Sequence, residues 1–333
     1  MQKKIPMSLL DLVPVGEGQT IATAIKQSVE LAQCSENVGF KRFWLAEHHN
    51  MAGIASAATS LLLCHIGSHT QKIRIGAGGI MLPNHSPLVI AEQFGTLATL
   101  FPDRIDLGLG RAPGSDMTTA TALRRNQQKS DHFPSDVVEL QYYLNSDDET
   151  DLVKAFPGRG TKIPLWILGS SLFGAQLAAH LGLPYAFASH FAPQALKQAV
   201  DIYRKQFKPS KQLAKPYVSI AANLVLSETV EDAEYHFTSK QQAFTNLRRN
   251  QAGLIPKPIK DIDAFWSPVE RQSTSAALAC SFIGTVDSVS PQIDAFLAEY
   301  QPDELIVTCG IYDQAARLKT LKLAKELPQF QFV

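Results

Sequence analysis

Short apolar runs alternate along this chain with stretches whose apolar residues recur at helical spacing, which sets a rhythm of strand followed by helix. A run over 5–10 reads as a strand; Ile21, Ile25, Val29 and Ala32 then follow on one helical face and stop before Gly39. The unit repeats as strand 43–46 with helix 55–68, strand 73–77 with helix 87–100, and strand 105–109 with helix 134–144 after a long polar stretch. Residues 147–162 carry no period and read as a linker. Beyond them the rhythm resumes with strand 165–168 and helix 174–181, then strand 185–188 and helix 193–207. Strand 218–226 and helix 230–249 come next. An irregular, Pro-containing segment over 250–273 reads as an active-site lid insertion. Helical stretches around 276–283 and 289–300 precede strand 304–308 and helix 314–327.

Eight strands, each followed by helical sequence, argue for a parallel sheet covered by helices, and eight is the number that closes the (β/α)8 TIM barrel. The whole chain, 1–333, then forms a single barrel domain with insertions. A doubly wound open sheet shares the alternation and is the alternative.

Composition narrows the chemistry. The apolar share of 45% supports a large core, and 31 basic against 31 acidic residues give no long-range attraction to nucleic acid or an anionic membrane. Small molecules are the expected partners. Cys34, Cys64, Cys280 and Cys309 are scattered without CxxC spacing, so reduced thiols and no metal centre are expected. No window approaches about 18 uninterrupted apolar residues, and the basic residues near Met1 are followed by no apolar stretch, so a soluble cytoplasmic protein is expected.

In a barrel the reactive groups sit on the loops after the strands, and four such loops carry polar or glycine-rich clusters. The second strand runs into Glu47-His48-His49-Asn50, whose imidazoles suit proton transfer or ligand contact, a capping role, or metal ligation. Adjacent histidines in extended chain point to opposite sides, which disfavours a shared metal. The third strand ends in Gly76-Ala77-Gly78-Gly79, where missing Cβ atoms admit either a flat ligand or a bulge. The fourth ends in Gly108-Leu109-Gly110-Arg111-Ala112-Pro113-Gly114. Its arginine suits a phosphate, or a pairing with Asp106 or Asp116. The fifth ends in Gly169-Ser170-Ser171-Leu172-Phe173-Gly174 before a helix, which is an anion site or an ordinary serine cap. Strands four and five are neighbours in a barrel, so one phosphate can bridge both loops.

These residues resemble the bacterial luciferase-like flavin monooxygenases. The likeness runs through Trp44-Leu45-Ala46-Glu47-His48-His49, through Ile75 to Pro83, through Pro87 to Glu92 with Asp103 to Arg111, and through Gly182-Leu183-Pro184. The resemblance implies FMN, with Arg111, Ser170, Ser171 and Gly174 at its phosphate and with Gly78 and Gly79 forming a non-prolyl cis peptide beneath its ring. It makes His48 a proton carrier beside the flavin and His49 a second catalytic candidate. It implies that reduced, exchangeable FMN from a separate NAD(P)H:flavin reductase reacts with O₂ and oxygenates a small organic substrate through a C4a-peroxyflavin, in a homodimer whose subunits meet at the small-residue run 52–58. Gly110 stands where luciferase itself has cysteine, and 250–273 differs from its mobile loop; both count against light emission. The rival readings are an F420-dependent dehydrogenase on the same barrel, a non-catalytic flavin-binding protein and a His-His metal hydrolase.

Overall fold

Each of the eight expected strands forms, and the eight close into a barrel. The computed structural model describes residues 4–112, 117–123 and 132–332. In chain order the elements are β1 (Ile5–Asp11), α1 (Ile21–Val38), β2 (Arg42–Leu45), α2 (Thr59–Ser68), β3 (Arg74–Met81), α3 (Pro87–Leu100) and β4 (Ile105–Gly110). Then come α4 (Met117–Ala122), α5 (Phe133–Asn145), β5 (Leu165–Gly169), α6 (Leu172–Leu181), β6 (Tyr185–Phe187), α7 (Leu196–Gln206), β7 (Val218–Leu226) and α8 (Val230–Arg248). The chain finishes with α9 (Pro268–Ala277), β8 (Ser281–Gly284), α10 (Val286–Tyr300), β9 (Glu304–Thr308), α11 (Gln314–Ala324) and β10 (Phe330–Gln331).

Strands β1 to β7 pair in sequence order, all parallel, and β9 closes the ring by pairing with β7 on one side and β1 on the other. This excludes the open doubly wound sheet. Two strands lie off the ring: β10 extends the start of β1, and β8 pairs with the outer half of β7, from Asn223 to Leu226. Strands sandwiched between barrel interior and helices are buried on both faces, which is why they read as continuous apolar runs. Helix ends follow local chemistry. Thr20 caps α1 by accepting from the Thr23 amide, and Gly39 stops it with a φ of 98° that a side chain resists.

Three local expectations are corrected. The stretch 276–283 is not one helix: α9 ends at Ala277 and β8 begins at Ser281. The segment 250–273 is irregular only to Ser267, where a capping box between Ser267 and Glu270 starts α9. Helix α2 starts at Thr59 rather than 55; in the small-residue run before it Gly53 and Ser56 are buried, where a Cβ on Gly53 would strike the Gly253 carbonyl and Ser56 bonds the Ala46 carbonyl at 2.5 Å, while Ala52, Ala57 and Ala58 are exposed.

The main core lies between the strands and the helices, and a smaller cluster of Leu10, Trp44, Ala46, Trp166, Ala186, Ala221 and Ile306 fills the barrel. Beneath it, the amino-terminal half of the interior holds charge: Arg42 bonds Asp106 at 2.6 Å and Glu304 at 2.8 Å. Both ends of the strands are thus plugged by different chemistry, and the polar loops gather at the carboxyl-terminal rim.

Candidate active site

At the carboxyl end of β2 the chain turns through Glu47, whose side chain is almost completely buried. Its carboxylate accepts from the Met81 amide at 2.9 Å, from Asn84 Nδ2 at 3.1 Å, from His49 Nε2 at 2.7 Å, and from His85 Nε2 at 3.0 Å. Burial pushes such a carboxyl upward, but the hydrogen bonds and charge of His85 and those of His49 and the Met81 amide prevail, holding it below the usual range. Glu47 is therefore an anion that ties the end of β2 to the end of β3. Of the two expected catalytic histidines, His49 is drawn into this cluster through Nε2, while His48 is half-buried.

The Glu47 amide also donates to the Gly79 carbonyl at 3.2 Å. The Gly78–Gly79 peptide is cis, and the register against β4 slips there: Gly78 faces Gly108, whereas Ile80 faces Leu109. A Cβ on Gly79 would sit 2.6 Å from the Gly108 carbonyl oxygen, and one on Gly78 would sit 2.8 Å from the Trp44 ring. These glycines are thus required by strand packing, and the bulge brings a flat stretch of backbone to the rim.

Arg111 follows β4 directly and is exposed; its guanidinium stacks 4.0 Å from the centre of the Phe173 ring. Phe173 stands in the first turn of α6, so the cation from the fourth strand and the helix N-terminus after the fifth meet at one place. Asp106 is no partner for that arginine in the barrel interior, where Arg42 and Arg74 already engage it. Pro113, Gly114 and Asp116 lie outside the described residues. Ser171 is the N-cap residue of α6 but makes no capping hydrogen bond with its side chain, and both Ser170 and Ser171 are exposed. The hydroxyls and the first-turn amides, whose dipoles favour negative charge, therefore face the same rim as Arg111. Gly174 lets α6 lie close over the strand, its missing Cβ position being 3.3 Å from the Tyr185 ring and 3.6 Å from Gly169. This donor set fits the phosphate of a nucleotide-like cofactor.

Other groups at the rim went unrecognised in the sequence. His85 lies beyond the third strand and is read only through its contact with Glu47. His190, after β6, is buried, and burial first, then the charges of Lys240 and His48, push its imidazole down to about 3. Its carbonyl accepts from Asn223 Nδ2 of β7 at 2.8 Å. No short spacing links these residues along the chain; only barrel closure brings them together.

A sequence profile of the luciferase-like monooxygenase family matches residues 7–300. A luciferase-like monooxygenase of Escherichia coli (strain K12) is 51% identical over 328 residues, 98% of this chain and 98% of its own. Among solved structures, apo-MsnO8 superposes with a TM-score of 0.90 at 32% identity, over 99% of this chain and 100% of its own. The oxygenating constituent of 3,6-diketocamphane monooxygenase from Pseudomonas putida, solved in complex with FMN, shares the fold with a TM-score of 0.72 at 15% identity, over 99% of each chain.

Proposed function

The chain belongs to the luciferase-like monooxygenase family and is an oxidoreductase, and from that premise we propose that it takes reduced FMN from a separate reductase and, with O₂, oxygenates a small organic substrate. One observation carries the cofactor assignment: Arg111 stacks on Phe173, which brings a guanidinium beside the α6 N-terminus that follows the exposed Ser170 and Ser171. When bound, FMN supplies the oxygen-activating chemistry, and the protein orients it, controls protons and keeps water out. Arg111, Ser170, Ser171 and the first turn of α6 would hold the phosphate, with Gly174 giving the helix its close approach. The Gly78–Gly79 bulge would support the ring.

Proton control falls to His48. Glu47, fixed as an anion, holds His49 and His85 in place, and the half-buried His48 imidazole beside it in the chain would exchange a proton near the reacting atoms. Water exclusion falls to the segment 250–267. It is strapped to the loop after β1 by the Ile255 amide donating to the Val15 carbonyl at 2.8 Å and by the Glu17 amide donating to the Ile255 carbonyl at 3.0 Å, which supports its reading as a cover at the rim.

The test is FMN binding, followed by flavin fluorescence, together with oxygen uptake on photoreduced FMN. Losing a charge-assisted contact costs about 1.5–3 kcal/mol, so Arg111→Ala is expected to weaken FMN by about tenfold or more. His48→Ala is expected to keep the affinity and lose turnover. An Arg111→Ala protein that binds FMN as tightly as wild type overturns the phosphate assignment, and tighter binding of F420 than of FMN turns the reading toward hydride transfer.

A further inference from the structure

Among the described residues, the arginines of the barrel interior hold ion pairs. Arg42 holds Asp106 and Glu304, Arg74 holds Asp106, and Arg317 holds Asp11 at 2.6 Å. Lys240, on α8, is half-buried and has neither an ion pair nor a hydrogen bond among the described residues. Its ammonium lies 3.6 Å from the position a Cβ would take on Gly310, in the segment that leaves β9 at the carboxyl-terminal rim. Two residues earlier in that strand, Thr308 stands opposite Asn223 of β7, and Asn223 in turn holds the His190 carbonyl. The Nδ1 atom of the buried His190 has no hydrogen-bond partner, nor has Oδ1 of Asn223. A cation and two orphaned polar atoms therefore share the corner where β6, β7 and β9 end.

We propose that Lys240 and His190 form a second anion subsite in the mouth of the barrel and that it takes the carboxylate of the organic substrate. The inference rests on the oxygenase reading of the same mouth, and it names the class of substrate. An ammonium partly withdrawn from water without a partner carries a cost, and an anion arriving from solution offsets it. A carboxylate matches the corner better than a phosphate does. It brings one negative charge to one lysine, and its second oxygen can accept from an imidazole N–H. His190, held neutral by burial, can donate that bond without adding a second positive charge beside Lys240. The phosphate of the cofactor belongs to the rim at β4 and β5, which is separated by β6 from β7 and β9. Lys240 and His48 both act on His190, so the corner and the proton carrier lie within electrostatic reach of one another. A substrate anchored there by its carboxylate would extend its remaining carbon skeleton toward His48.

Hexanoate and hexanamide are the probes, titrated by ligand-observed NMR into the full-length protein carrying oxidised FMN, so that the phosphate rim is filled. Wild type is expected to bind the acid at least about tenfold more tightly than the amide. Lys240→Met is expected to erase the difference, Lys240→Arg to keep most of it, and His190→Gln to reduce it, while FMN affinity stays the same in all four proteins. That constancy also shows that the variants are folded. Equal affinity for acid and amide in wild type, or a preference that survives Lys240→Met, overturns the subsite and leaves the cofactor assignment standing. A loss of FMN affinity in Lys240→Met assigns the lysine to the cofactor and overturns it as well. If wild type binds no FMN, the same titration in an Arg111→Ala background decides: a Lys240-dependent preference for the acid supports the subsite although the cofactor assignment has failed.

Discussion

His190 shows how a single side chain couples the rim to solution conditions. Its imidazole is buried and pushed from its ordinary value near 6.5 down to about 3, first by burial and then by the charges of Lys240 and His48. In the unfolded chain it would take up a proton below about pH 6.5. A folded value below the unfolded one means that its contribution to stability is complete above about pH 6.5 and is lost progressively as pH falls toward the folded value. Between about pH 7.5 and about pH 5.5 the loss is about 1.4 kcal/mol. Urea unfolding of wild type and His190→Gln at both values checks this, and the wild type should lose about that much more than the variant. An equal loss in both would mean that His190 does not titrate as buried. The residue also marks the limit of what the sequence discloses. His48, His49, Arg111, Ser170 and Ser171 are legible because each is a polar interruption where an apolar strand ends, and the rule that barrels work at those ends gives them meaning. His85, His190 and Lys240 carry no such signal. Their significance comes from partners on other strands, Glu47 for the first and Asn223 and Gly310 for the others, which only the fold brings near.

At the scale of the element, the third strand shows a bulge serving two purposes. Its register slips between Gly78 and Ile80, and the freed Gly79 carbonyl receives the Glu47 amide, so the histidine-bearing turn is hung on the irregularity itself. A methyl group on Gly79 would press on the Gly108 carbonyl at 2.6 Å, and neither backbone can yield without disturbing the β3–β4 ladder. Gly79→Ala is therefore expected to lower stability by about 1–3 kcal/mol, as overpacking does, and to weaken FMN binding, because the support of the ring moves with it. Gly253→Ala, where only the Gln251 carbonyl lies nearby at 3.9 Å, is the matched control and should be near neutral. Thermal unfolding of the two proteins separates specific crowding from a general effect of adding a methyl group. The same scale explains the element that was misread. Residues from Thr274 to Gly284 are small or apolar almost throughout, so no period distinguishes the end of α9 from the start of β8. The eight ring strands escape this ambiguity because each is bounded by polar or glycine-rich loops. The signal that was available for α9 was its start, Ser267-Pro268-Val269-Glu270, a capping box with proline at the first helical position.

The whole molecule is held closed by charge as well as by apolar packing. Arg42 of β2 reaches Asp106 of β4 at 2.6 Å and Glu304 of β9 at 2.8 Å, its guanidinium lies 4.7 Å from the centre of the Trp166 ring, and Ser8 and Tyr217 complete the bonds to Glu304 at 2.5 and 2.8 Å. The partners come from strands far apart in the chain, so this cluster forms only when the ring does. Both carboxyls are buried, which alone would raise them. The charge of Arg42 leads the opposing effects for each and holds both below the usual carboxylate range. Their folded values being depressed, the stability they contribute is complete above the usual carboxylate range and is lost as pH falls through it. Arg42→Met takes the strongest opposing charge from two buried acids, leaving Asp106 to Arg74 and Glu304 to Lys41, and is expected to lower stability at neutral pH by about 3 kcal/mol. In that variant burial is opposed by fewer charges, so the two carboxyls should rise and protonation should relieve part of the penalty rather than add to it. The gap between wild type and Arg42→Met, measured by urea unfolding, is therefore expected to narrow as pH is lowered from about 7 toward about 4.5. A gap that stays constant over that interval would show that the carboxyls do not depend on Arg42. The barrel would then owe its closure to apolar packing, and the charged floor would be a passenger in it.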